Sequence, residues 1–137
     1  MLAAVLMVAS AAVLFVAGVL HLKATFFDSD LLPRDPALQK RMREITPVVT
    51  EETDMWSCWI GFNAGLSMGF MLYGLIYGFL SIAHGSLLFG SPYLLVVGLL
   101  IVGAYVALSK AYMFSFPLVI TGVSLACFVA SVIVSLT

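Results

Sequence analysis

Charged side chains are few and are confined to one short part of the chain. The 137 residues include only 6 basic and 7 acidic residues, and all of them except Lys110 lie between Lys23 and Asp54. A soluble domain distributes charge over its whole surface, so this pattern argues against a soluble protein. With a formal net charge of −1, the chain also has no excess of basic residues that could bind nucleic acid. We therefore expect no nucleic-acid partner.

Cysteine and histidine occur only twice each, which is too sparse for a recognisable metal or redox motif. Cys58 and Cys127 lack CxxC spacing and lie at different predicted depths, so we expect two free thiols. His21 and His84 fall at opposite ends of an antiparallel helix pair, about 30 Å apart, which excludes a haem held by both within one subunit. The sequence therefore predicts no metal and no cofactor.

Apolar residues, in contrast, make up 63% of the chain, and the mean hydropathy is +1.15. They form four segments long enough to cross a bilayer as helices. The predicted crossings are residues 2–22, 55–80, 92–109 and 115–136. We expect the first segment to be retained rather than cleaved, because no basic residue precedes it. The predicted fold class is an all-α membrane protein, a four-transmembrane-helix bundle that forms a single domain over residues 1–137.

Basic residues predict the orientation of this bundle. All six lie in the connections 23–54 and 110–114, whereas the connection 81–91 and both termini contain none. The positive-inside rule then places connections 23–54 and 110–114 in the cytoplasm and both termini outside. The expected location is the bacterial inner membrane, with the lipid bilayer as the principal partner.

The connection 23–54 has a helical pattern of its own. Leu38, Met42, Ile45 and Val49 share one face between charged residues, which predicts a short amphipathic helix on the inner membrane surface. Thr50 is the predicted N-cap of the second crossing, where acidic residues in the first turn would favour the helix dipole.

The second crossing carries small residues on two faces. On a helical wheel with about 100° per residue, Ser67, Gly74 and Gly78 lie within about 60° of Asn63. Gly61, Gly65 and Gly69 lie on nearly the opposite face. Small residues allow close packing of helices in lipid, so we expect helix neighbours on both sides. Asn63 would pair with a hydroxyl or a carbonyl of a neighbour, and the hydroxyl stripe of the fourth crossing is one candidate.

Chemistry, if there is any, would lie at the cytoplasmic boundary. His21 shares that boundary with Glu51 and Asp54, and Asn63 is nearby on the second crossing. A histidine among carboxylates could act as an acid–base group. The alternative is an interfacial histidine that is hydrogen-bonded to an acid, with Asn63 serving packing and register.

The segments MWSCWIGFNAGLSMGFMLYGLIYGF and GSPYLLVVGLLIVGAYVALSKAYMFSFP, with HLK at the end of the first crossing, resemble a family of small bacterial membrane proteins with four transmembrane helices. The resemblance covers most of the chain, and WxxWxGFN is its most specific part. It implies the fold and no activity.

The architecture is also similar to the MAPEG family of glutathione-handling membrane enzymes, which have four helices, a long cytoplasmic first connection and an Asn in the second helix. That resemblance implies trimers and a thiol ligand. The chain departs from it at Gly61, in place of a histidine, and at Leu66, in place of a glutamate. No crossing contains the arginine that would bind an anionic substrate.

Two functions remain open from the sequence. The first is a non-catalytic protein that packs with copies of itself, as a homo-oligomer, or within a larger membrane complex. The second is an enzyme or binding protein for a lipid-like, quinone-like or thiol ligand at the cytoplasmic boundary, which would use His21, Glu51, Asp54 and Asn63.

Overall fold

The structure, a computed structural model that describes residues 1–137, is entirely helical between its connecting turns. Four long helices dominate it, and two short ones lie in the connections. The long helices are α1 (Leu2–Phe27), α3 (Met55–Ala83), α5 (Pro92–Tyr112) and α6 (Ser115–Ser135). The short helices are α2 (Pro36–Glu44) and α4 (Gly85–Gly90).

The four long helices have the dimensions and composition of membrane crossings. The shortest of them has 21 residues, which corresponds to about 30 Å of helix and matches the hydrocarbon thickness of a bilayer. Each contains an 18-residue window with a mean hydropathy between 1.7 and 2.6. The predicted all-α, four-crossing fold class is confirmed, and the chain has the architecture of a multi-pass membrane protein.

Three of the crossings extend further than the apolar segments predicted. α1 continues five residues past residue 22, through Lys23 and Thr25, to Phe27. Thr25 donates its hydroxyl proton to the His21 carbonyl at 2.7 Å, and Lys23 pairs with Asp28 at 3.3 Å. These polar contacts stabilise the last turn of α1 beyond its apolar part. α3 and α5 likewise end at Ala83 and Tyr112 rather than at residues 80 and 109.

The predicted interfacial helix between the first two crossings is present, but it is shorter than the apolar pattern. Asp35 caps α2 by accepting from the Ala37 backbone N–H at 2.9 Å, and Pro36 occupies the first turn. The helix ends at Glu44, so Ile45 is its C-cap and Val49 lies outside it.

The predicted cap of the second crossing was wrong. Thr50 accepts from the Glu52 N–H at 3.1 Å, in a turn that precedes the helix. Asp54 is the residue that caps α3, because its carboxylate accepts from the Ser57 backbone N–H at 2.7 Å. The helix therefore begins at Met55, and Glu51 and Glu52 lie before its first turn.

The chain divides into two compact units. Unit 1 comprises residues 1–17 and 70–137, and unit 2 comprises residues 18–69. The core of unit 1 consists of fully or almost fully buried apolar side chains from α1, α3, α4, α5 and α6. They are Met7, Ala11, Leu14, Tyr73, Tyr77, Leu88, Val102 and Phe128.

Two glycines allow close helix crossings in unit 1. A Cβ atom at Gly74 would lie 2.5 Å from the Phe15 Cβ and 2.7 Å from the Ala11 carbonyl oxygen. A Cβ atom at Gly98 on α5 would lie 2.7 Å from both the Phe128 and Tyr77 rings. At both positions only a glycine fits without movement of a neighbour, and so the backbones can approach closely.

Hydroxyl groups connect the helices of unit 1 in its interior. The Ser10 hydroxyl on α1 lies 2.9 Å from the Tyr73 hydroxyl on α3 and 2.9 Å from the Ser124 hydroxyl on α6. Ser124 also donates to the Ser10 carbonyl at 3.0 Å. Towards the start of α1, Ser131 donates to the Ala3 carbonyl at 2.6 Å, and Ser81 donates to the Ala4 carbonyl at 3.0 Å. The polar stripe of α6 therefore contacts α1.

In unit 2, the segment that connects α1 to α3 is held against the first turns of α3 by hydrogen bonds and a cation–π contact. The Met55 N–H donates to the Ile45 carbonyl at 2.9 Å, and the Trp59 indole N–H donates to the Leu31 carbonyl at 3.3 Å. The Arg43 guanidinium lies 5.2 Å from the centre of the buried Trp56 ring, which is within the range of a cation–π contact.

Candidate functional site

The candidate site lies in unit 2, where α1 and α3 each contribute a polar side chain. His21 Nε2 and Asn63 Oδ1 are 3.1 Å apart. An amide oxygen can only accept a hydrogen bond, so the histidine Nε2 carries the hydrogen in this pair. His21 and Asn63 are both partly buried.

Asn63 is also bonded within its own helix. Its Nδ2 donates to the Trp59 carbonyl at 2.8 Å, and its backbone carbonyl accepts from the buried Ser67 hydroxyl at 3.0 Å. The side-chain amide therefore has a partner for both its oxygen and its nitrogen. Its partner across the helix interface is an imidazole ring, whereas the sequence suggested a hydroxyl or a carbonyl.

Glu51 and Asp54, the carboxylates that the sequence analysis grouped with His21, form no hydrogen bond or ion pair with it in the structure. The Asp54 carboxylate accepts from the Ser57 N–H and, at 3.1 Å, from the Ser57 hydroxyl. The backbone hydrogen bond from Ser57 holds the pKa of Asp54 below its usual value. Glu51 is exposed, and neither Glu51 nor Asp54 forms an ion pair with His21.

No group of three or more His, Cys, Asp or Glu side chains is arranged to hold a metal ion. Cys58 and Cys127 are both free thiols and partly buried. Of the four predicted site residues, the structure brings together His21 and Asn63 and leaves Glu51 and Asp54 apart from them.

The small residues of α3 differ in their surroundings. Gly74 is closed by α1, and a Cβ atom at Gly78 would make an ordinary contact, 3.6 Å from the Ala11 Cβ. Gly61 and Gly65 are exposed, and a Cβ atom at either would meet nothing within 4 Å. Gly69, which follows on the same stripe, is partly buried. Within unit 2, no helix covers Gly61 and Gly65, although the sequence predicted a neighbour there.

Ser10 and Tyr77 are among the residues with interhelical roles that were missed from the sequence. Ser10 joins three helices, and Tyr77 donates its hydroxyl proton to the Leu94 carbonyl at 2.7 Å, which connects α3 to α5. Each is a hydroxyl group within an apolar helix, and such a group needs a hydrogen-bond partner in a bilayer. That requirement was the one signal in the sequence that could have identified them. Nothing in the sequence distinguished these two from the other hydroxyls.

Comparison of the chain with protein-family models, curated proteins and solved structures found no match.

Proposed function

We propose that the protein is a non-catalytic component of the bacterial inner membrane that assembles with copies of itself through one face of α3. The observation that carries this proposal is the exposed surface at Gly61 and Gly65, where an added Cβ atom at either position would meet nothing within 4 Å. A second copy presenting the same face would cover both glycines in a symmetric pair.

The chemistry of lipid supports a helix as the occupant of this face. Lipid tails are as apolar as leucine, so helices in a bilayer associate through close packing and not through the hydrophobic effect. A glycine pair spaced by four residues brings two backbones near enough for that packing. Phe62 and Met68 are exposed beside the pair and would extend the contact.

The polar groups of the crossings are consistent with a packing role. Buried side-chain nitrogen and oxygen atoms all have hydrogen-bond partners. Ser10 bonds to Tyr73 and to Ser124, and Asn63 bonds to His21 and to its own helix. These groups stabilise helix contacts, as the packing hypothesis for Asn63 requires.

The second candidate is binding, with or without catalysis, of a lipid-like, quinone-like or thiol ligand at the cytoplasmic boundary. The contact between His21 and Asn63 favours it, because it places a titratable ring beside an amide. Glu51 and Asp54 do not take part in that contact. Such a site would depend on two side chains that already satisfy each other.

The orientation belongs to the same proposal. Five of the six basic residues precede α3, and Lys110 lies in the last turn of α5. With the positive-inside rule, this distribution supports a cytoplasmic location for α2 and an external location for α4 and both termini.

Native mass spectrometry of the full chain in mild detergent tests the assembly. We expect oligomers from the unmodified protein and monomers from Gly65→Leu, because a leucine side chain would hold the two backbones apart. Circular dichroism of Gly65→Leu should be unchanged, since nothing in its own chain lies near that position.

Gly103→Leu is the matched control. Gly103 is a partly buried helical glycine on α5 where an added Cβ atom would also meet nothing within 4 Å, so it tests whether a leucine at any uncrowded helical glycine has the same effect. The control should remain oligomeric. A strict monomer from the unmodified chain, or an unchanged oligomer from Gly65→Leu, would refute the proposed interface.

A further inference from the structure

We infer that α2 and its immediate neighbours form a binding surface for membrane lipids with anionic head groups. α2 contains three basic residues, Lys40, Arg41 and Arg43, and a single acidic one, Glu44. The inference concerns a surface in unit 2 that is separate from the assembly face. It rests on the proposed cytoplasmic orientation of α2 and not on the proposed assembly.

The apolar side of α2 is uncovered. None of its residues is buried, Leu38 is 50% exposed, and Ile45 at the C-cap is 40% exposed. Leu38, Met42 and Ile45 lie within about 60° of one another on a helical wheel. An exposed apolar stripe with cationic flanks is characteristic of helices that lie in the plane of a membrane interface.

The contacts of unit 2 position α2 beside the membrane boundary. Its last residue is followed by Ile45, whose carbonyl accepts from the first N–H of α3. Arg43 packs over Trp56 on that same first turn of α3. Because α3 is a membrane crossing, lipid head groups are the partner that reaches this end of it.

The charges of the connection are segregated in a way that suits this partner. Three of the five basic residues of the connection lie in α2, whereas six of its seven acidic residues lie outside it, Asp28, Asp30 and Asp35 before it and Glu51, Glu52 and Asp54 after it. Asp28 is paired with Lys23. Arg41 lies next to the apolar stripe, where a head-group phosphate would be within its reach, and its contact with Glu44 at 3.4 Å is exposed. An exposed pair of this kind is weak and leaves Arg41 free to exchange partners.

The two tryptophans of the chain, Trp56 and Trp59, both lie at this end of α3. Trp56 is buried, whereas Trp59 is 40% exposed and can report on the adjacent lipid. We would reconstitute the full chain in phosphatidylcholine bilayers that contain either brominated phosphatidylglycerol or brominated phosphatidylcholine. Bromine quenches tryptophan fluorescence at contact, so the two quenching curves yield a relative binding constant. We expect a preference for phosphatidylglycerol of about fivefold for each basic residue that engages the head group.

Lys40→Gln/Arg41→Gln should abolish most of this preference while sparing the Arg43–Trp56 contact. The matched control is Lys23→Gln/Arg34→Gln. It also removes one lysine and one arginine from the connection 23–54, but from positions outside α2, and it should retain the preference. Raising the ionic strength should weaken the preference in the unmodified protein. Equal quenching by both lipids in the unmodified protein, or equal loss in the two double variants, would overturn the inference.

Discussion

Ser10 is the residue on which the interior of unit 1 depends most clearly. Its hydroxyl is fully buried and contacts both Tyr73 and Ser124. We expect Ser10→Ala to lower the free energy of unfolding by roughly 0.6–2 kcal/mol, the range for polar contacts between membrane helices. Unfolding of the protein in mixed micelles of mild detergent and dodecyl sulfate would measure the change.

Ser135→Ala is the appropriate comparison for that experiment. Ser135 donates only to the Val132 carbonyl of its own helix, and so its removal breaks no interhelical contact. The free energy of unfolding of the Ser135→Ala variant should match that of the unmodified protein. If both alanine variants were destabilised equally, the hydroxyl cluster around Ser10 would have no special role.

Single positions also show what sequence reasoning could and could not reach. A polar amide in an apolar helix requires a partner, so Asn63 was recognisable as an interhelical residue. The identity of its partner, His21, depends on which side of α1 faces α3 at the depth of Asn63, and hydropathy does not encode that. Ser10 was not recognised, because a serine can satisfy itself on its own helix, as Ser67 does.

Among the helices, α3 offers a test at its start. Asp54 caps it, and the backbone hydrogen bond from Ser57 lowers the pKa of the carboxyl. A pKa that is lower in the folded state contributes stability above the unfolded value of about 4, and that stability is lost as the pH falls through the folded value. We therefore expect protection of the Ser57 amide from hydrogen exchange to decrease below about pH 4.

Asp54→Asn separates the charge from the cap. Asparagine can still accept from Ser57 but does not titrate in this range, so its amide protection should be independent of acid-range pH. Asp54→Ala should lose protection at every pH. Retention of full protection in Asp54→Ala would show that Asp54 is not the cap of α3.

The helix ends illustrate a general limit of prediction from the sequence. The four crossings were predictable because about 20 consecutive apolar residues have few other structures available to them. The first residues of all four crossings match the prediction, but the last residues of α1, α3 and α5 do not. Polar residues such as Thr25 and Lys110 continue a helix whenever local hydrogen bonds or the helix dipole favour it. The choice between Thr50 and Asp54 as cap depended on a turn whose geometry hydropathy does not report.

For the chain as a whole, the orientation in the membrane can be tested directly. The basic residues of connection 23–54 predict a cytoplasmic α2, and four crossings then place α4 and the C-terminus outside. Single cysteines would be introduced at Arg41, Ser86 and Thr137, all exposed, after Cys58 and Cys127 are replaced by alanine.

A membrane-impermeant maleimide should label Ser86→Cys and Thr137→Cys in cells whose outer membrane has been permeabilised. Arg41→Cys should react only after the inner membrane is also opened, because the cost of moving the charged connection across the bilayer holds it in the cytoplasm. Labelling of Arg41→Cys from outside would reverse the orientation, and labelling of all three in intact inner membranes would indicate insertion in both directions. A fully reversed orientation would remove the anionic cytoplasmic leaflet as the partner of α2, and insertion in both directions would leave that partner to only part of the molecules. The assembly face at Gly61 and Gly65 would be unaffected by a reversed orientation, since a helix contact within the bilayer does not depend on which end faces the cytoplasm.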